Sequence, residues 1–128
     1  MADDDLAFRA LIRDWLNSLG DFTLVAEVAD GRSAVVAALD FNPDIVLMDV
    51  SMPILNGIEA TRQIMASRPD TVVVGASVHA DKGFQQAMLA AGARAYILKE
   101  DVVSGLLPTL RSLVRLGEPD GHSPPDSR

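Results

Sequence analysis

Residues 44–57 read DIVLMDVSMPILNG, and the reading of this stretch decides the fold. Ile45, Val46, Leu47 and Met48 form an unbroken apolar run that stops at Asp49. Such a run, bounded by Pro43 and Pro53, fits a strand covered on both faces, as in parallel sheets. Asp49 then stands at the carboxyl end of the strand, the edge where open α/β sheets bind their ligands. Pro53 and Gly57 make the following segment a stiff turn. Taken alone, Asp49 reads equally well as the cap of a turn or a helix. Its meaning rests on what else reaches that edge.

After this stretch, a helix is expected from about Ile58 to Ser67, stopped by Pro69. Thr71 to Ala76 (TVVVGA) reads as a second buried strand ending at Ser77. Lys82 to Ala91 reads as a small-residue helix closed by Gly92, and Ala95 to Leu98 (AYIL) as a last strand ending at Lys99. Val102, Leu106, Leu110 and Leu113 give the final helix its apolar face. Pro108 lacks an N–H, which predicts a regular helix only from around Leu107.

Before the central stretch, Ser33 opens a short helix that ends ahead of Asn42-Pro43. Phe22 to Val28 (FTLVAEV) reads as a strand followed by the Asp30-Gly31 turn. Phe8, Leu11, Ile12, Trp15, Leu16 and Leu19 recur at helical spacing, with Asp4 or Asp5 able to cap the helix and Gly20 to stop it. On local grounds Asp3, Asp4 and Asp5 are acids favoured by the helix macrodipole. Strand and helix patterns alternate, so the expected fold is α/β: a doubly wound parallel sheet with helices on both faces. In such a sheet Asp49, Ser77 and Lys99 end their strands at one shared edge.

The chain has 128 residues and fits one domain, assigned to residues 1–116. Residues 117–128 carry no apolar anchor and read as a disordered tail or linker. Hydrophobic residues make up 48%, enough for a sizeable core. No apolar run is long enough to cross a bilayer. The absence of cysteine excludes disulfides and thiolate metal sites. The formal net charge of −7 argues against a grip on nucleic acid.

The acid pair Asp3-Asp4, DIVLMDVSMP with Asp49, GAS with Ser77 and AGARAYILK with Lys99 stand in one order along the chain. In this the sequence resembles the response-regulator receiver domain of two-component signalling, most closely the NarL/FixJ type, over about Ala2 to Gly117. The resemblance implies a flavodoxin-like sheet in the strand order 2-1-3-4-5. It implies phosphorylation of Asp49 by a histidine kinase or phosphotransfer protein. It further implies Mg²⁺ held by Asp3, Asp4, Asp49 and the Ser51 carbonyl. Ser77 would hydrogen-bond the phosphoryl group, Lys99 would pair with it, and Ser77 and Tyr96 would form the switch. Mg²⁺ takes hard oxygen ligands, which this set supplies. The further expectations are a cytoplasmic phosphorelay protein, a homodimer as one option, no membrane, and no turnover of an external substrate. Outside the resemblance, Tyr96 reads as a half-buried aromatic, His79 as a loop residue, and His122 carries no assignment.

The alternative is a non-phosphorylated pseudo-receiver acting as a protein-interaction module. A more distant one is a small phosphatase with Asp49 as nucleophile, which would want a second acid where Ser51 stands. The sequence departs from the family at its front, where only Met1-Ala2 precedes Asp3, so the first strand is expected to be missing or truncated. Three explanations stand side by side: a fragment or misassigned start, a strand donated by another chain, or a rearranged sheet with a degenerate site. The Met1 ammonium is expected near the metal site, in competition with the cation. Val78, following Ser77, is expected to narrow access to Asp49.

Overall fold

The computed structural model describes residues 1–117. Three parallel strands, β1 (Ile45–Asp49), β2 (Val72–Ser77) and β3 (Ala95–Leu98), pair in that order, with β2 central. Helices α1 (Leu6–Leu19) and α2 (Gly31–Phe41) precede the sheet in sequence. Helices α3 (Gly57–Ser67) and α4 (Lys82–Ala91) join its strands, and α5 (Val102–Gly117) follows a 3₁₀ turn at Lys99–Asp101. The alternating faces of β1 explain its unbroken apolar run. Val46 and Met48 join Ala34, Ala38, Ile64 and Met88 in one core layer. Leu47 joins Ile12, Leu16, Leu106 and Leu110 in the other. Helices therefore cover both faces, as the doubly wound pattern requires.

Local signals set the helix ends. Asp5, rather than Asp4, caps α1 through the amides of Ala7 and Phe8, and Gly20 ends it in the left-handed conformation with φ 77°. Asp30 caps α2, which starts at Gly31, two residues ahead of the expected start at Ser33. Asn56 caps α3, and Asp81 caps α4.

Two expectations need correction. α5 begins at Val102, not near Leu107, and Pro108 lies inside it. Pro108 and Ser104, one turn earlier, are both exposed, so the carbonyl that loses its donor faces water rather than the core. The second correction concerns residues 22–28, which form no strand. Only Val28 makes a parallel bridge, to Ala2, and Ala2 also bridges Met48 of β1. The first-strand position between 22–28 and β1 is thus held by a single residue. A strand persists only where a neighbour completes its ladder, and Phe22 to Val25 have none.

That one residue is firmly tied. Ala2 N–H donates to the Leu47 carbonyl at 2.9 Å, and Asp49 N–H donates to the Ala2 carbonyl at 2.9 Å. On the other side Val28 N–H donates to Met1 and Asp3 N–H to Val28, each at 3.0 Å. The acid pair therefore keeps its anchor. The Met1 ammonium, expected beside the metal site, instead donates to the Ala26 carbonyl at 3.0 Å. Burial pulls its pKa below the ordinary value, partly offset by Glu27. The expected tail at 117–128 falls outside the described residues beyond Gly117, as does His122.

Candidate functional site

The carboxyl ends of the parallel strands bring four polar side chains, of three chemical kinds, to one edge. Asp49 ends β1, Ser77 ends β2, and Lys99 directly follows β3. Asp3 arrives beside them because Ala2 is laddered to β1 immediately before it. Asp49 is 5% exposed, Asp3 and Ser77 1% each, while Asp4 is exposed. Lys99 Nζ lies 2.7 Å from Asp3 Oδ2 and 3.6 Å from Asp49 Oδ2. The ammonium thus bridges two buried carboxylates and lies closer to Asp3.

Two carboxylates and one ammonium leave a local excess of negative charge. The Asp49 carboxyl is pushed up to about 7, first by burial and then by the charge of Asp3. Lys99 and a hydrogen bond from the Ser51 backbone oppose the shift, and Asp4 adds to it. Asp3 Oδ1 accepts from Asp5 N–H at 2.9 Å. Asp3 Oδ2, though buried, has no aligned hydrogen-bond donor; its contact with Lys99 is a charge pairing.

Carboxylate oxygens of Asp3, Asp4 and Asp49 all lie within 4.8 Å of one another. Hard oxygen donors, an orphaned buried oxygen and a carboxylate raised in pKa by burial and by the charge of Asp3 together fit a small divalent cation. Ser51, exposed two residues beyond Asp49, is the remaining member of the expected ligand set.

Close approach of the backbone fixes the loop after Asp49. A Cβ on Gly57 would fall 1.9 Å from the Asp49 carbonyl oxygen, and Gly57 N–H donates to the Val50 carbonyl at 2.8 Å. The start of α3 is therefore seated directly against the end of β1, which only glycine permits. Thr61, fully buried, donates its hydroxyl to the Gly57 carbonyl.

The residues expected to switch are joined through a third. Ser77 Oγ accepts from His79 N–H at 3.0 Å, and the Tyr96 hydroxyl donates to the His79 carbonyl at 3.0 Å. Tyr96 is half-buried, and its ring reaches across β2 at Gly75, where a Cβ would stand 3.1 Å from it. The His79 ring rests on Phe84, with centroids 5.2 Å apart. His79 is a loop residue, as read from sequence, but its backbone links Ser77 to Tyr96. Val78 is 72% exposed.

The sequence reading missed Phe8, Arg9 and Glu27. Lys99 Nζ sits 4.6 Å from the Phe8 ring centroid, a cation–π contact. Arg9 donates to the Asp3 carbonyl at 2.8 Å, and its Nε lies 3.5 Å from Glu27. A signal was present: a helix that starts straight after strand-end acids lays its first turn over that edge. By spacing alone, Phe8 reads only as part of an apolar face.

Comparison with known proteins agrees with this geometry. The family described as "Response regulator receiver domain" matches residues 1–109, and the chain belongs to that family. It is 36% identical over 115 residues to the transcriptional regulatory protein DegU of Brevibacillus brevis, covering 90% of this chain and 49% of that protein. The response regulator domain of Thermotoga maritima CheB superposes with TM-score 0.79 at 31% identity, covering 87% of this chain and 90% of that one. A LuxR-family response regulator from Aurantimonas sp. SI85-9A1 superposes with TM-score 0.84 at 28% identity, covering 89% and 81%. The chain spans about half the length of DegU. Among the described residues, no helix is long and apolar enough to cross a membrane.

Proposed function

We propose that Asp49 accepts a phosphoryl group from a histidine kinase or phosphotransfer protein, with Mg²⁺ at the acid cluster, and that the domain signals by switching conformation. The observation that carries this reading is the buried Asp49 carboxylate at the strand end, 3.6 Å from Lys99 and within 4.8 Å of Asp3 and Asp4. Asp3, Asp4, Asp49 and the Ser51 carbonyl would hold Mg²⁺, which supplies positive charge that screens the carboxylates and the phosphoryl oxygens.

In the transfer, an Asp49 oxygen bonds to phosphorus as the phosphorus–nitrogen bond of the donor phosphohistidine breaks, and the imidazole regains a proton. The product is an acyl phosphate. Lys99, already beside Asp49, neutralises a phosphoryl oxygen. Ser77 Oγ accepts from His79 and keeps its own proton free to donate to the phosphoryl group. Following that group draws the loop after β2 with it, and the Tyr96 tie to His79 reads out the movement.

On this reading the domain turns over no external substrate and works in the cytoplasm through protein contacts, as a homodimer or with a partner. A net charge of −7 gives it no hold on nucleic acid.

A second reading, the non-phosphorylated interaction module, is favoured by one contact: Lys99 lies nearer Asp3 than Asp49, on an oxygen a cation would use. One assay decides. Incubation with a small-molecule phosphodonor and Mg²⁺, followed by intact mass, is expected to add a single phosphate to the wild type and none to Asp49→Asn. A folded wild type that gains no phosphate overturns the acceptor reading.

A further inference from the structure

Lys99 is held by more than its two carboxylates. Its ammonium lies over the Phe8 ring, 4.6 Å from the centroid, as well as 2.7 Å from Asp3 and 3.6 Å from Asp49. The lysine side chain is only 12% exposed, so the ring meets a cation largely stripped of water, where a π face attracts it most. Phe8 is itself fixed. Its N–H donates to the Asp5 cap at 3.2 Å, and its side chain packs on the core layer that holds Ile12, Leu47 and Val102. Arg9, the next residue, ties the same turn of α1 to the Asp3 carbonyl at 2.8 Å. The ring is therefore part of the frame that carries Asp3.

A lysine needs such a hold. Its four-carbon stem is flexible, and its compact charge has no fork geometry to fix a direction. Held by the carboxylates alone, the ammonium can swing about the line joining their oxygens. The nearer oxygen, on Asp3, also draws it away from Asp49. A π face adds a third point of attachment without adding charge to an edge that already carries an excess of negative groups. Asp3 and Asp49 are the groups that a cation or a phosphoryl group would engage. The ring is neither, so nothing in that chemistry competes for it.

We propose that Phe8 is a positioning residue for Lys99, its ring face holding the ammonium where it can serve an acceptor on Asp49. The use of this hold in transfer rests on the acceptor reading above. Phe8 acts only through the ammonium and touches no reacting atom. The π face, and not bulk alone, is what residue 8 supplies: a leucine there packs against the same core layer but offers the cation nothing.

NMR of the whole chain, with neither phosphodonor nor cation, reads the hold directly. The Lys99 ε-methylene protons should be shifted upfield by the ring current of Phe8. They should return to ordinary lysine values in Phe8→Leu and stay shifted in Phe8→Tyr. Intact mass then follows the rate at which a small-molecule phosphodonor with Mg²⁺ loads Asp49. Phe8→Leu should lower that rate about threefold to tenfold, and Phe8→Tyr should recover most of it. Replacing Phe8 by its mono-, di- and trifluoro analogues, which keep the shape and weaken the quadrupole, should lower the rate stepwise. In a Lys99→Met chain the residual rate should be indifferent to Phe8→Leu. Unshifted Lys99 methylenes in the wild type, fluorinated chains that react as fast as the wild type, or an equal further loss in the Lys99→Met chain overturns the proposal. A wild type that shows the methylene shift and takes no phosphate supports the hold on Lys99 and overturns the acceptor reading instead.

Discussion

The two halves of the sheet carry similar apolar sequence and meet different fates. VVVGAS, Val72–Ser77, is β2, buried at every position and paired on both edges. FTLVAEV, richer in bulky residues than a surface loop requires, becomes no strand at all, and its Val25 is 48% exposed. The difference lies in the neighbours. β2 has β1 and β3, whereas 22–28 has one alanine at its end. Strand propensity is a tendency to fit a pleated surface, realised only when that surface exists.

The largest expected effect contrasts the halves directly. Met48 is fully buried, so Met48→Ala should cost about 2–5 kcal/mol, while Val25→Ala should cost less than about 1 kcal/mol. Urea denaturation of both variants checks this, and equal losses would mean the halves are equally consolidated.

The next effect concerns the charged edge that β1 shares with Asp3. An Asp49 carboxyl raised from 3.8 to about 7 binds its proton more tightly folded than unfolded. Stability without divalent cations should therefore fall as pH rises through that interval, and stay low above it. Asp49→Asn should flatten the dependence, and Mg²⁺ should restore stability at pH 8 more than at pH 5. Thermal melts across pH, with and without Mg²⁺, measure it. A flat wild-type profile would place the repulsion elsewhere.

The smallest effect lies in the loop that carries β1 into α3. Ile54 has φ 70° and is 79% exposed, so a β-branched residue holds a left-handed conformation with little packing in return. Ile54→Gly should stabilise by about 0.5–1 kcal/mol, the relieved strain exceeding the added unfolded-state entropy. Chemical denaturation would show it as a higher midpoint at unchanged slope.

Much of this was legible in the sequence. Continuous apolar runs ending in Asp, Ser and Lys pointed to three strands and the edge they share; in β1 and β2, burial on both faces leaves no polar alternation to misread. α4 spans Lys82 to Ala91, the bounds read from sequence, and Gly92 closes it as expected. The misses have one physical origin, long-range context. FTLVAEV could not announce the lack of a neighbour. Pro108 could not announce that it would lie on the wet side of α5. At the site, Asp49 and Lys99 were found by position, but Phe8 beneath the ammonium and Arg9 on the Asp3 carbonyl depend on how α1 sits over the edge. No spacing rule along the chain encodes that docking.

The hydrogen bond from Asp49 N–H to the Ala2 carbonyl makes the two buried acids near neighbours through main chain alone. Their separation is therefore a dimension of the scaffold, indifferent to which side chains later approach. Like-signed groups are clamped at short range whether or not the Lys99 ammonium offsets them in full, as two magnets are held pole to pole by a rigid frame. Whatever settles between them inherits a gap already cut to size.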